Sequence, residues 1–167
     1  KKATAEEFGL DRVKIWRRLQ GIGAVAVKNT VYALPANAET QEDFEWLLKE
    51  IVEGGGEAMV CEARLVDGLS DGQVRALFDA ARDEDYEGLA KEARALSTAQ
   101  DETDELPAQV RRLRKRLTEI AAIDFFGATG RLTAESLIAG LEARIAEDKE
   151  MTEEQPRAAT SLIGRVW

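Results

Sequence analysis

The chain has 167 residues, a formal net charge of −9 and a pI near 4.7; that is length for one ordinary domain, or for a small domain with a helical extension. It holds no histidine and a single cysteine, Cys61, which excludes an internal disulfide framework, removes the usual general base near neutral pH and leaves too few ligands for a zinc site. No run approaches the roughly 18 apolar residues that span a bilayer, and the opening KKATAEEFGL lacks the apolar stretch of a secretory signal, so the expected location is the cytoplasm.

Residues 1–10 carry no strong pattern. Residues 11–21, DRVKIWRRLQG, read as a helix: Val13, Ile15, Trp16, Leu19 and Ile22 mark an apolar side, and Gly21 or Gly23 stops it. Residues 24–34 read as a β-hairpin, two short runs rich in β-branched residues around a turn at Lys28-Asn29, closed by Pro35. Thr40 opens a second helix as N-cap, with Asp43 three residues on, then Phe44, Leu47, Leu48 and Ile51 at helical spacing and Gly54-Gly55-Gly56 as the stop. EAMVCEARL, residues 57–65, is a plausible last strand that would bury Cys61. With one strand placed before the first helix, this is the ferredoxin-like, split β-α-β order. That first strand is not visible: either it lies upstream of residue 1, or another segment fills its place.

From residue 69 the pattern is helical. Ser70 with Gln73 forms a capping box ahead of Val74, Leu77, Phe78 and Ala81, and a second segment near 83–97 carries Tyr86, Leu89, Ala90, Ala93 and Leu96. The polar STAQDETDE links it to a third helix, with Pro107 in its first turn and Leu106, Val110, Leu113, Leu117 and Ile120 spaced as a coiled-coil seam. DFFGATG, residues 124–130, makes a turn, and Thr133 caps a fourth helix carrying Leu137, Ile138, Leu141 and Ile145. Residues 150–160 look like a solvated linker, and SLIGRVW reads as the start of something else.

Several uncommon strings occur in a fixed order: Arg12-Val13-Lys14-Ile15-Trp16-Arg17-Arg18-Leu19, Gly23-Ala24-Val25, Lys28-Asn29-Thr30-Val31-Tyr32-Ala33-Leu34-Pro35, Glu42-Asp43-Phe44-Glu45-Trp46-Leu47, Gly54-Gly55-Gly56-Glu57-Ala58 and Asp83-Glu84-Asp85-Tyr86. Over roughly residues 11–97 this resembles the N-terminal domain of the ChrB chromate-resistance proteins, and Gly164-Arg165-Val166-Trp167 looks like the junction to that family's second domain. The resemblance implies a regulator of a chromate-efflux operon that acts on promoter DNA through its N-terminal region, with the oxyanion sensed by the second domain. The layout is also similar to the ferredoxin-like domain of phenylacetate-catabolism repressors and of small CRISPR-associated nucleases. Those nucleases rely on an acidic residue at the end of the first strand, so their activity does not carry over.

Two basic groups are candidates for phosphate contact. Arg12, Lys14, Arg17 and Arg18 decorate the first helix, where the alternative is a solvated face whose arginine stems cover a sheet edge. Arg111, Arg112, Arg114, Lys115 and Arg116 put five positive charges into six residues of an acidic chain; the alternative is ion pairing with nearby acids such as Glu102, Asp104 or Glu105. Trp16, Trp46, Tyr32 and Phe44 fit core packing better than base stacking. Asp83-Glu84-Asp85 and Asp101-Glu102-Asp104-Glu105 lack the spacing of a calcium loop and read as solvated turns.

The sequence therefore predicts an α+β protein, with a ferredoxin-like layer at 11–66, a helical region at 69–149 and a linker at 150–167. It is read as non-catalytic, without cofactor or metal, with promoter DNA as partner and a homodimer through the Leu106–Ile120 seam as an alternative use of those residues. A dimerisation or structural module and a metal-dependent nuclease are the rival functions.

Overall fold

The computed structural model describes residues 5–98 and 105–154, with side chains from 12 to 98 and from 105 to 151. Among these residues the order is α1 (Ala5–Gly21), β1 (Val25–Lys28), β2 (Val31–Ala33), α2 (Ala38–Glu53), α3 (Asp71–Thr98), α4 (Leu106–Ala122) and α5 (Gly130–Glu154). The described residues are mostly helical, with one two-stranded antiparallel sheet among them.

Two apolar clusters organise these elements. In the first, α1 contributes Ile15 and Leu19, and Ile22 follows just past its end, a row spaced by four and three that lies on one side. It meets Phe44, Leu47 and Ile51 of α2, and Ala24, Tyr32 and Leu34 from the hairpin. The strands pair Val25 with Ala33, Ala26 with Tyr32 and Lys28 with Val31. Asn29 turns the chain at φ 50°, a left-handed conformation that asparagine tolerates. The N-cap of α2 is Asn37 and not Thr40. Asn37 Oδ1 accepts the Thr40 N–H at 3.0 Å, and Thr40 Oγ1 accepts the Asn37 N–H at 3.3 Å. Thr40 is the buried far half of a reciprocal box, which places its hydroxyl where a glutamate side chain more often stands. Gly54 ends the helix, as its sequence suggests.

The second cluster is larger. Tyr86, Leu89 and Ala93 of α3, Val110, Leu113 and Leu117 of α4, and Ala134, Ile138 and Leu141 of α5 form a buried three-helix core. Leu106 and Ile120 pack at its edge. The seam, whose spacing suits either packing within the chain or a dimer, is thus packed within the chain.

α3 is one helix of 28 residues, where the sequence suggests two separated by an acidic turn. Its inward row runs Phe78, Arg82, Tyr86, Leu89, Ala93, and Arg82 holds the helical repeat with a charged residue. Arg82 is 5% exposed and its guanidinium reaches Asp85 at 2.9 Å. Asp83 serves a different element. Its Oδ1 accepts the Gly130 N–H at 2.7 Å. It therefore caps the N-terminus of α5 from a neighbouring helix, and Thr133, the expected cap, lies inside α5. Ser70 and Gln73 form the expected box, each accepting the other's backbone N–H.

Two further expectations fail. Residues 57–65 form no strand, and no ladder partner exists for them among the described residues; Cys61 is exposed. A strand needs a neighbour, and the hairpin offers them none. The ferredoxin-like sheet is accordingly not present in the described residues. Trp16 and Trp46 are 53% and 62% exposed, outside the core. A two-stranded hairpin is wide enough to cover one row of each helix, and both tryptophans lie off that row. Helix α5 continues to Glu154, into the expected linker, and Asp101, Glu102 and Asp104 lie outside the described residues, as do residues 155–167.

The layers meet at Gly23 and the loop after α4. A Cβ built on Gly23 would stand 2.8 Å from Ile123 Cβ, and Gly23 adopts φ +76°. Phe125 and Phe126 of the same loop pack edge-on against Phe78 of α3. Gly23→Ala combines a left-handed backbone with a steric overlap and is expected to cost about 2–4 kcal/mol in chemical denaturation. Asp83→Ala, which removes this cap and the long Thr129 hydroxyl contact beside it, is expected to cost about 1 kcal/mol.

Candidate nucleic-acid interface

The first basic group stands on α1. Arg12, Lys14, Arg17 and Arg18 are all exposed, because Ile15, Leu19 and Ile22 take the inward side. Lys14 Nζ lies 2.5 Å from Glu50 Oε1 on α2, and Arg18 Nε lies 3.3 Å from the other oxygen of the same carboxylate. The Lys14 hydrogen bond, aided by the Arg18 charge, holds the Glu50 carboxyl below its usual range against the opposing effect of desolvation. These pairs fasten α1 to α2. Arg12 and Arg17 make no ion pair among the described residues.

The second group stands on α4, and the buried seam fixes how its side chains are shared. Residues 114 and 116 flank the seam on opposite sides. Arg114 Nε donates to Glu142 Oε1 of α5 at 2.8 Å, and Arg114 Nη2 donates to Oε2, a bidentate pair. That pairing raises the Arg114 pKa and lowers that of Glu142. Arg116 Nη1 donates to both oxygens of Glu92 on α3, at 2.7 and 2.6 Å. Lys115 lies 3.7 Å from Glu119, one turn along the same exposed face. Arg111 and Arg112 point away from the core, are exposed and make no ion pair among the described residues. Among the described residues the acids that engage α4 are therefore Glu92, Glu119 and Glu142, whereas Glu102 and Asp104 lie outside the described residues.

The two groups stand on different parts of the fold: α1 packs on α2, and α4 packs between α3 and α5. Arg144 is a further cation with a structural role. It donates to the Ser97 and Leu96 carbonyls at the C-terminal end of α3, at 3.2 and 3.4 Å. Nothing in the α5 sequence signals that contact, since its partners lie 47 and 48 residues away.

The exposed surface around Trp46 has the wrong charge for a phosphate backbone. Trp46 Nε1 donates to Glu42 at 3.4 Å, Glu45 lies on the same shallow face, and only Lys49, 5.3 Å from the indole centroid, supplies a cation. No group of three or more acidic or cysteine side chains that could hold a metal ion occurs among the described residues. No helix among them is long and apolar enough to cross a membrane.

Comparison with known proteins agrees with the uncommon strings in the sequence. A family model described as Protein ChrB, N-terminal, matches residues 12–155. Protein ChrB of Cupriavidus metallidurans (strain CH34) is 27% identical over 117 residues, which is 69% of this chain and 36% of the relative. The chain thus spans about a third of the length of that curated relative. No solved structure matches it.

The Arg114–Glu142 pair carries a pH signature. Because the folded-state pKa of Glu142 is depressed, its contribution is complete above the ordinary value of 4.5 and is lost as pH falls through the lower folded value. The pair is half-exposed, so its worth is expected to be below about 1 kcal/mol. Melting temperatures between about pH 3 and pH 7 should show a smaller acid-side loss for Arg114→Ala than for the parent chain. Equal losses would deny the pair a stabilising role.

Proposed function

The chain belongs to the ChrB N-terminal family and is thereby associated with chromate resistance, and on that premise we propose that it is the DNA-contacting part of a cytoplasmic, chromate-responsive transcriptional regulator. What supports this reading above all is the division of labour on α4. Arg114 and Arg116 are bound to Glu142 and Glu92, while the adjacent Arg111 and Arg112 face solvent with no ion-pair partner among the described residues. Two unneutralised guanidinium groups on one rigid helical turn suit phosphate oxygens, which they can engage in fork geometry. Lys115, whose contact with Glu119 is long and exposed, can turn to the same partner. Arg12 and Arg17 on α1 supply a second point of contact.

Such contacts position a protein on a duplex and carry no base information. These residues therefore supply affinity and orientation, and base reading falls to none of them in particular. No catalytic step, metal or cofactor enters this role.

An assembly module is the second reading, favoured by the number of basic side chains already committed to acids within the chain. Fluorescence anisotropy with the operon's promoter duplex and a scrambled duplex, across a salt series, separates the two. The Arg111→Glu/Arg112→Glu double variant is expected to weaken binding more than tenfold and to flatten the slope of log K against log salt by about 2. An unchanged slope with a folded protein would overturn the assignment and leave assembly as the role.

A further inference from the structure

Residues 57–66 have no place in either cluster. Extended, their side chains would alternate: Met59, Cys61, Ala63 and Leu65 on one side, Val60, Glu62, Arg64 and Val66 on the other. From Met59 to Leu65 that first side is wholly apolar, the signature of a half-buried strand. Yet every residue of the segment is exposed, Met59 and Val66 to 85% and 84%, and none has a ladder partner among the described residues. Apolar, β-patterned chain with free backbone groups is a template for pairing with another strand.

We propose that this segment is an interface between two copies of the chain, residues 60–66 of each copy pairing antiparallel about a two-fold axis through Ala63. The sequence itself selects that register. With Ala63 opposite Ala63, Glu62 stands opposite Arg64 on both sides of the axis. Cys61 then faces Leu65, and Val60 faces Val66. Over residues 60–66 each charge meets its opposite and each apolar residue meets another. An axis through Glu62 or Arg64 sets like charges against each other. An axis through Cys61 sets Glu62 against Val60 and Glu57 against Leu65, leaving every charge unpaired. Only the Ala63 axis is self-complementary, as an isologous contact requires. Backbone hydrogen bonds supply the attraction in such strand addition, and the side-chain register supplies the selectivity.

Multi-angle light scattering over a dilution series reads the dimer, and charge swaps read the register. Arg64→Glu sets acid against acid twice and is expected to weaken association about tenfold. Glu62→Arg combined with Arg64→Glu restores it. A covalent test is sharper. In one strand, residues 61 and 65 stand about 13 Å apart, beyond disulfide reach, so only a second copy can bridge them. Leu65→Cys, mildly oxidised, is expected to give a covalent dimer that reductant reverses. Val66→Cys places the new thiol on the other face from Cys61 and is expected not to link through it. The proposal is overturned if the chain stays monomeric throughout, if Leu65→Cys stays monomeric under oxidation, or if both cysteine variants cross-link equally. It is equally overturned if hydrogen exchange finds 57–66 protected at a level that does not change with concentration, since the segment then pairs within its own chain.

Discussion

Burial of Val110, Leu113 and Leu117 between α3 and α5 decides the fate of every charge on α4. A fully buried aliphatic side chain contributes about 1.5–3 kcal/mol, whereas a half-exposed ion pair contributes about 1 kcal/mol at most. The apolar row therefore sets the rotation of the helix, and the ion pairs follow from it. Once the row faces inward, Arg114 must lie beside α5 and Arg116 beside α3, where Glu142 and Glu92 receive them. Arg111 and Arg112 must face water. A basic cluster that reads as uniform along the chain becomes two populations, one binding the bundle together and one without an ion-pair partner among the described residues.

The α1–α2–hairpin layer rests on less. Its cluster has three buried residues, and the two-stranded sheet covers a single row on each helix. Isolated hairpins are marginal in water, so this layer depends on its attachment to the helical bundle. Gly23 makes that attachment possible by letting the chain close onto Ile123 and Phe125, while Phe78 receives the aromatic pair of the same loop. The Lys14 and Arg18 contacts with Glu50 add a polar clasp between the two helices of the layer.

Much of this is legible in the sequence, and the misses share a physical origin. Repeats of three and four mark every helix with an apolar face, and the boxes and glycines at Ser70, Gln73 and Gly54 stand where they do because local geometry suffices to form them. What local pattern does not carry is any role set by a distant partner. Arg82 interrupts an apolar row that would otherwise run from Phe78 to Tyr86, so one long helix reads as two. Asp83 looks like part of a solvated turn because the N–H it accepts belongs to Gly130. Residues 57–65 have a strand's alternation but no adjacent strand. For the candidate site, the basic residues are visible in the sequence, and the two reasons to distinguish them, Glu92 and Glu142, are not.

Arginine-selective modification with phenylglyoxal, located by mass spectrometry with and without promoter duplex, tests the division of α4 most directly. Arg111 and Arg112 are predicted to react readily in the free chain and to be shielded by the duplex, while Arg114 and Arg116 react slowly in both states because their carboxylate partners hold them. Equal modification of all four in the free chain, or no shielding of Arg111 and Arg112 by the duplex, would contradict that division.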